Sequence, residues 1–418
     1  MAQNEAGLGI QRIKCSVDTT QQYALYLPAK HNALLIFLDP GARGDMPVRE
    51  YASLADQYGI VMAGSFNSRN FDGNSSVASF VAVYNDVTNR YAIDADKIWL
   101  TGFSGGARAA CSIGLMYPEV KGIIGCGAGF ADDNADVTKI SRYAGIVGIG
   151  DMNFTELFDN SHYLDEKKVG NILLTFNGGH VWPPEKIFGL AIEWLLGAGN
   201  NPSLTAIKKS EFFLTKIRQS VDSGFLYAAC LDAVQLAKIP VYKNSADSLS
   251  ENIRANKKFK ADSLSFLQAL FEEKNRMNEF SIAFSNTINN NEKIIADDWV
   301  IKARAIAAMK KGSTYGRRSA ERCFDHATRV CQEHFSMFFG KSDYYGSLKA
   351  ATILSYFVPE QPDGYYLMAR AYSGLKDKRE CGRMLKEAVK RGLTFSKRIV
   401  LSLQTVLTEE EVETIFGK

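Results

Sequence analysis

The chain has 418 residues, 46% of them hydrophobic and 23% charged, with a formal net charge of +3. That length exceeds what one hydrophobic core usually supports, so two domains are expected, and the composition excludes a disordered or collagen-like chain. No stretch approaches the roughly 20 apolar residues of a transmembrane helix, so no membrane span is expected. Charge and glycine are unevenly spread. Residues 1–200 hold 15 Lys and Arg against 21 Asp and Glu, together with 24 of the 34 glycines, while the remainder carries a net +9. An acidic, glycine-rich half followed by a basic, glycine-poor half reads as two domains of different class, 1–200 and 201–418. The division falls near Gly197-Ala-Gly-Asn-Asn-Pro202, a stop signal of Gly, Asn and Pro.

In chain order, the polar opening MAQNEAG contains no secretory apolar core. It fits a secreted or periplasmic chain whose leader has been removed, the other expectation being a cytoplasmic protein. Strands are expected at Tyr23–Leu27, Ala33–Leu38 and Gly59–Gly64, and a helix at Val77–Tyr91 with apolar residues at helical spacing. Residues 97–117, KIWLTGFSGGARAACSIGLMY, pass from strand to helix at Ser104. A G-x-S-x-G between strand and helix is a nucleophile elbow, which strains the serine backbone and projects its hydroxyl over the sheet edge. Gly102 and Gly106 are needed there because side chains would collide with the packed strand and helix. Strands at Gly122–Cys126, Tyr143–Ile149 and Asn171–Phe176 and a helix at Pro184–Leu196 complete the half. Alternating strands and helices predict a mostly parallel sheet with helices on both faces, and the continuously apolar strands agree.

The second half has almost no strand pattern. Leu226, Ala229, Cys230, Ala233 and Leu236-Ala237 form a helical stripe ended by Pro240. Further helices are expected at 262–278, 299–311, 317–339, 345–357, 365–375 and 379–392, with a polar break at Asn286–Asn291. This is an all-α array of antiparallel helices. The seven cysteines are scattered and form no C-x-x-C pair, so neither a zinc site nor a redox motif is expected, and no metal is assigned.

A serine needs a base, normally histidine, itself oriented by a carboxylate. In α/β-hydrolases these arrive in the order Ser, acid, His, each after a strand. His31 precedes its strand and His162 lies in a polar segment, whereas His180 follows NILLTF in the loop Asn177-Gly-Gly-His-Val-Trp-Pro-Pro184. His180 is therefore the expected base, the alternative being a surface loop histidine. Asp151 follows YAGIVGIG and is the expected acid, the alternative being a cap for the segment Asn153–Phe158. Asp132, Asp133 and Asp136 read as solvated surface, and Asp159 and Asp165 come later than the position demands. Oxyanion donors are expected from the N–H of Gly105 and, since Pro40 has none, from Ala42 in the loop Asp39-Pro-Gly-Ala-Arg-Gly44, with Arg43 as a helper. The polar loop Ser65–Asn74 either lines the substrate cleft or is simply solvated. Trp182 is either a wall of the acyl or alcohol pocket or a cover for the core.

Residues 20–197 resemble an α/β-hydrolase of the polyhydroxybutyrate-depolymerase and feruloyl-esterase-like group. The resemblance rests on YALYLPA, LLIFLDPGA, TGFSGGARAA followed by MYPE, GIGD and NGGHVWPP. It implies Ser104 as nucleophile, His180 as base and Asp151 as acid, with serine-esterase chemistry and no cofactor. The chain departs from the family where Asp39-Pro40 stand in place of the usual His-Gly before Gly41. The helical half lies outside this resemblance, but 362–394 is similar to a tetratricopeptide repeat. Tyr365, Met368, Ala369 and Tyr372 match its first helix and Cys381, Leu385 and Ala388 its second, while Lys376 replaces the usual turn glycine. No clean second copy is evident at the repeat's period of about 34 residues.

The leading expectation is an esterase acting on a small-molecule or oligomeric ester. A peptidase or acyltransferase on the same triad, or a scaffold acting through the helical half, are the alternatives. The helical half is expected to cap the active-site mouth, bind a protein partner or self-associate. Its positive charge is mixed with Glu and Asp along helices and comes with no nucleic-acid motif, so no nucleic-acid partner is expected.

Overall fold

The computed structural model of the chain describes residues 9–70, 73–132, 135–197, 204–289 and 294–417. The opening MAQNEAG, Asp133, residues 198–202 of the expected linker, and Asn290 and Asn291 lie outside the described residues. The chain divides into two compact units, Met1–Phe266 and Leu267–Lys418.

The first unit contains β1 (Gln11–Lys14), β2 (Gln22–Tyr26), β3 (Ala33–Leu38), α1 (Asp45–Glu50), α2 (Ala52–Tyr58), β4 (Ile60–Ser65) and α3 (Gly73–Arg90). It continues with β5 (Ile98–Phe103), α4 (Gly105–Met116), β6 (Gly122–Cys126), β7 (Arg142–Gly148), α5 (Phe154–Glu166), β8 (Gly170–Phe176) and α6 (Glu185–Leu196). Then follow α7 (Leu204–Asp222), α8 (Leu226–Ala237) and α9 (Lys243–Arg254). The strands form one eight-stranded sheet in the order β1-β2-β4-β3-β5-β6-β7-β8. β1 pairs antiparallel with β2 and β2 with β4, while every later pairing is parallel. This order and these directions are those of the α/β-hydrolase fold.

Strand period explains the two cores. Leu34, Ile36 and Leu38 of β3 join the cluster that includes α3 and α4, whereas Leu35 and Phe37 join the cluster that includes α1, α2 and α6. With both faces covered, all six residues of β3 are buried, as are those of β4 and β5. The apolar strands expected from sequence all form. β1 was not anticipated, because QRIK alternates half-buried and exposed positions on an edge strand and contains one apolar residue.

The expected change of domain at 200/201 and the division into compact units do not coincide. Leu226, Ala229, Cys230, Ala233 and Leu236 of α8 are buried as the stripe requires, but they join the same core as Ile172 and Leu174 of β8. Polar contacts fix this packing at the sheet edge. Gln235 Oε1 accepts from Leu173 N at 3.0 Å, and Asp232 accepts from Thr175 Oγ1 at 2.8 Å and from Lys216 Nζ at 3.1 Å. Among the described residues β8 is an edge strand of the sheet, so its open flank needs a cover, and α8 supplies it.

The division falls within α10 (Phe259–Asn289), which continues through the first residues of the expected polar break. The second unit holds α11 (Ala296–Met309), α12 (Thr314–Gly340), α13 (Tyr344–Phe357), α14 (Asp363–Gly374), α15 (Lys378–Lys390), α16 (Lys397–Leu403) and α17 (Glu409–Ile415). It is all-helical, around Phe280, Trp299, Cys323, Phe335, Phe357 and Leu385. A buried ion pair of Arg322 with Glu273 joins α12 to α10.

Two turns in this unit share one geometry. Ser342 between α12 and α13, and Lys376 between α14 and α15, both adopt φ +59°. In each, the following aspartate closes one helix and opens the next. Asp343 N donates to Phe338 O and Asp377 N to Tyr372 O, both at 2.9 Å, while their carboxylates accept from Gly346 N and Glu380 N. The turns stand about 34 residues apart. A left-handed conformation is costly for any residue with a Cβ, so Lys376→Gly is expected to stabilise this hairpin by about 0.5–1 kcal/mol. Native-state hydrogen exchange in α14 and α15 should slow by about two- to fivefold, and unchanged or faster exchange would contradict this.

Candidate active site

Ser104 is the one residue between β5 and α4, with φ +53° and ψ −122°. The tightness of this turn follows from what its neighbours lack. A Cβ on Gly102 would strike the backbone of Gly106, and a Cβ on Gly106 would strike the carbonyl of Leu38 at the end of β3. Ser104 N donates to Cys126 O at 2.8 Å, which anchors the turn to β6. The Ser104 hydroxyl makes no capping bond to α4 and is directed elsewhere.

It meets His180, whose Nε2 lies 2.8 Å from Ser104 Oγ. On the other side of the ring, His180 Nδ1 lies 2.9 and 3.0 Å from the two carboxylate oxygens of Asp151. With the proton on Nδ1, the imidazole donates to Asp151 and leaves Nε2 to accept from the serine hydroxyl. Asp151 is fully buried and His180 is 7% exposed. Asp151 also accepts from Asn153 N at 2.9 Å, and the Asn153 side chain donates to Gly127 O at 2.7 Å. The capping alternative for Asp151 thus describes one of its bonds and leaves the other carboxylate contacts to His180. Gly127, at φ +64°, passes so close that a Cβ there would lie 3.1 Å from Asp151 Oδ2 and 3.3 Å from His180 Cε1. The three side chains expected from the order of the chain are therefore brought together.

The oxyanion loop differs from expectation. Ala42 has φ +57°, and its N–H donates to the carbonyl of Asp39 at 3.0 Å, inside the chain. Gly41 N and Arg43 N turn to the Asp39 carboxylate at 2.8 and 3.3 Å. This buried carboxylate also receives Arg43 Nε at 2.9 Å, Arg43 Nη2 at 3.0 Å and Trp182 Nε1 at 3.1 Å. Ala42 is consequently not free to serve as the donor expected of it. Gly105 keeps that capacity, because as the first residue of α4 its N–H has no intrahelical acceptor. Trp182 packs against Phe37, Tyr51 and Phe103, so it covers the core while bracing the loop through Asp39.

Arg108, one turn along α4 from Ser104, forms a two-pronged ion pair with Glu156 of α5, both bonds at 2.7 Å. Glu156 also accepts from Gly129 N at 2.9 Å, tying α4, α5 and the loop after β6 together. Sequence reasoning missed this pair and the role of Asp39. The second had a local signal, since Asp-Pro-Gly is a turn in which the aspartate accepts from the N–H two residues on. Asp132 and Asp136 are exposed as expected. Among the described residues, no group of three His, Cys, Asp or Glu side chains could hold a metal ion, and no helix is long and apolar enough to cross a membrane.

No family model matches the chain, and no curated protein matches it in sequence. Solved structures do resemble its first part. S-formylglutathione hydrolase from Staphylococcus aureus is 15% identical over 45% of this chain and 95% of its own, with a TM-score of 0.38. Dienelactone hydrolase from Anabaena variabilis is 17% identical over 45% of this chain and 97% of its own, with a TM-score of 0.36. A puromycin-hydrolysing peptidase from Mycobacterium tuberculosis is 13% identical over 45% of this chain and 38% of its own, also with a TM-score of 0.36.

The backbone of Ser104 lies in a region that costs about 1–3 kcal/mol for a residue with a Cβ. Ser104→Gly should therefore be more stable than Ser104→Ala by about 1–2 kcal/mol. Thermal unfolding compares the two, and a glycine variant that melts at or below the alanine variant would show that the turn stores no such strain.

Proposed function

We propose that the chain is a serine hydrolase that cleaves carboxylic esters through an acyl-enzyme, within the polyhydroxybutyrate-depolymerase and feruloyl-esterase-like group of α/β-hydrolases. The observation that supports this reading is the continuous hydrogen-bonded path from Ser104 Oγ through the His180 ring to Asp151. Its serine stands on a strained turn at the N-terminus of α4, where backbone N–H groups and the helix dipole favour developing negative charge.

In the proposed reaction, Ser104 Oγ attacks the ester carbonyl carbon as His180 Nε2 takes its proton. The carbonyl π pair moves onto oxygen, which the Gly105 N–H receives. Asp151 stabilises the imidazolium and holds the ring in place. Collapse of the tetrahedral intermediate re-forms the carbonyl and breaks the bond to the leaving alcohol, which takes the proton from His180. A water then attacks the acyl-enzyme, giving its proton to His180, and the second collapse returns Ser104 and the carboxylic acid. Every proton is carried by His180 and no cofactor is called on.

For the second unit, the shared turn geometry favours reading α12 to α15 as a degenerate pair of tetratricopeptide-like hairpins. Its proposed role is to hold a protein partner or a second copy of the chain.

The test is hydrolysis of a short p-nitrophenyl ester together with labelling by a fluorophosphonate probe. Wild type should do both, and Ser104→Ala should lose both while keeping its melting behaviour. His180→Ala should lower kcat by about 10⁴-fold or more. Activity that survives Ser104→Ala would sink the assignment. Labelling without ester turnover would favour a peptidase or acyltransferase, and absence of both would favour a scaffold.

A further inference from the structure

We infer that the side-chain amide of Asn70 is a catalytic residue, donating the second hydrogen bond to the oxyanion; the inference rests on the esterase reading above. The argument starts from a shortage. Acyl transfer through a tetrahedral intermediate calls for more than one donor aimed at the oxygen that becomes charged. In this chain the N–H groups of Gly41, Ala42 and Arg43 are all turned onto Asp39, which leaves Gly105 as the backbone donor.

Asn70 stands where the missing donor belongs. Its backbone N donates to Pro40 O at 3.1 Å, and its neighbour Arg69 forms an antiparallel bridge with Gly41, so residues 69–70 run alongside the oxyanion loop. From there the side chain crosses to the first residue of α4. A Cβ placed on Gly105 would fall on the Asn70 amide oxygen, with Asn70 Cγ at 2.6 Å and Nδ2 at 3.0 Å. The amide therefore lies against Gly105 Cα, next to the Gly105 N–H, on the side that a Cβ would otherwise occupy. This also explains a glycine for which the elbow itself has no need. Gly102 and Gly106 make room for the chain, whereas Gly105 makes room for Asn70.

No side-chain hydrogen bond engages the Asn70 amide among the described residues. It is half-buried and free to present either end, since a half-turn exchanges Oδ1 and Nδ2 with the packing unchanged. With Nδ2 forward, it supplies a neutral donor that keeps its proton at any pH where the enzyme would work. A carbonyl oxygen resting on Gly105 N–H would then receive a second N–H from the side as its charge grows. Arg69 and Asn70 belong to the polar loop Ser65–Asn74, so that loop would contribute to the chemistry and not only to the cleft wall.

The test compares full-length wild type, Asn70→Ala and the isosteric Asn70→Asp on a short p-nitrophenyl ester, with a trifluoromethyl ketone as a mimic of the tetrahedral adduct. Asn70→Ala should lower kcat by about 10²-fold or more with KM within about threefold, and should weaken the ketone by a similar factor. Asn70→Asp keeps the shape, loses the donor and adds a charge of the wrong sign, so it should fall at least as far. Both variants should still be labelled to completion by the fluorophosphonate, at a reduced rate. A kcat within about threefold of wild type in either variant, or a loss confined to KM, overturns the role of Asn70 while leaving the esterase reading intact. If Asn70→Ala does not fold, Asn70→Asp alone decides. A wild type that neither labels nor hydrolyses overturns the esterase reading itself, and this inference with it.

Discussion

The site depends on one backbone constraint: a single residue has to turn the chain from β5 into α4. That is feasible only because three segments approach to backbone contact. Gly102 faces the backbone of Gly106, Gly106 faces the carbonyl of Leu38, and neither position has room for a Cβ. The turn leaves Ser104 in a conformation that costs about 1–3 kcal/mol, offset by its anchor to Cys126 O and by the buried sheet around it. In exchange, the hydroxyl escapes the helix and lies against His180 at the C-terminal ends of β5, β7 and β8. A relaxed serine would cap α4, and its hydroxyl would be taken up by the helix.

The loop after β3 shows how one buried charge organises its surroundings. Asp39 is fully buried, and a buried carboxylate has to be satisfied by donors. It draws in three backbone or guanidinium groups from its own loop and the indole of Trp182 from the His180 loop. The loop becomes rigid as a result, but its N–H groups point at Asp39 and away from a substrate. Asn70, bridged to the same loop, is the group that remains.

The strands, the order of Ser104, Asp151 and His180, and the all-helical second half were legible because each rests on local chemistry. Continuous apolar runs mark strands buried on both faces, and short glycine-rich or polar loops mark the ends where side chains meet. What stayed hidden was decided by partners distant in sequence. The engagement of Ala42 by Asp39 depends on a left-handed residue that no composition announces. The helix Lys243–Arg254 buries Ala246, Ser250 and Ile253, a stripe too polar to read as one. The segment Leu226–Ala237 is legible as a helix but its neighbour is not, because periodicity shows that a face will be buried but not against what. In the second unit the turns at Ser342 and Lys376 share a left-handed backbone that these two unlike residues do not announce, although each is followed by an aspartate that caps the next helix.

Asp39 and Asp151 show how environment assigns function to identical residues. Both are fully buried, and both sit just beyond strands that end at the site. Asp151 receives one backbone N–H and the imidazole, so its charge is left to face the ring and, in the proposed reaction, would favour an imidazolium. Asp39 receives the Arg43 guanidinium, two backbone N–H groups and an indole, so its charge is neutralised where it stands. That difference matters for the proposed reaction. An unpaired Asp39 would repel an oxyanion developing at the α4 N-terminus. Arg43 and Trp182 are therefore part of the same electrostatic arrangement as Gly105, although neither needs to touch a substrate.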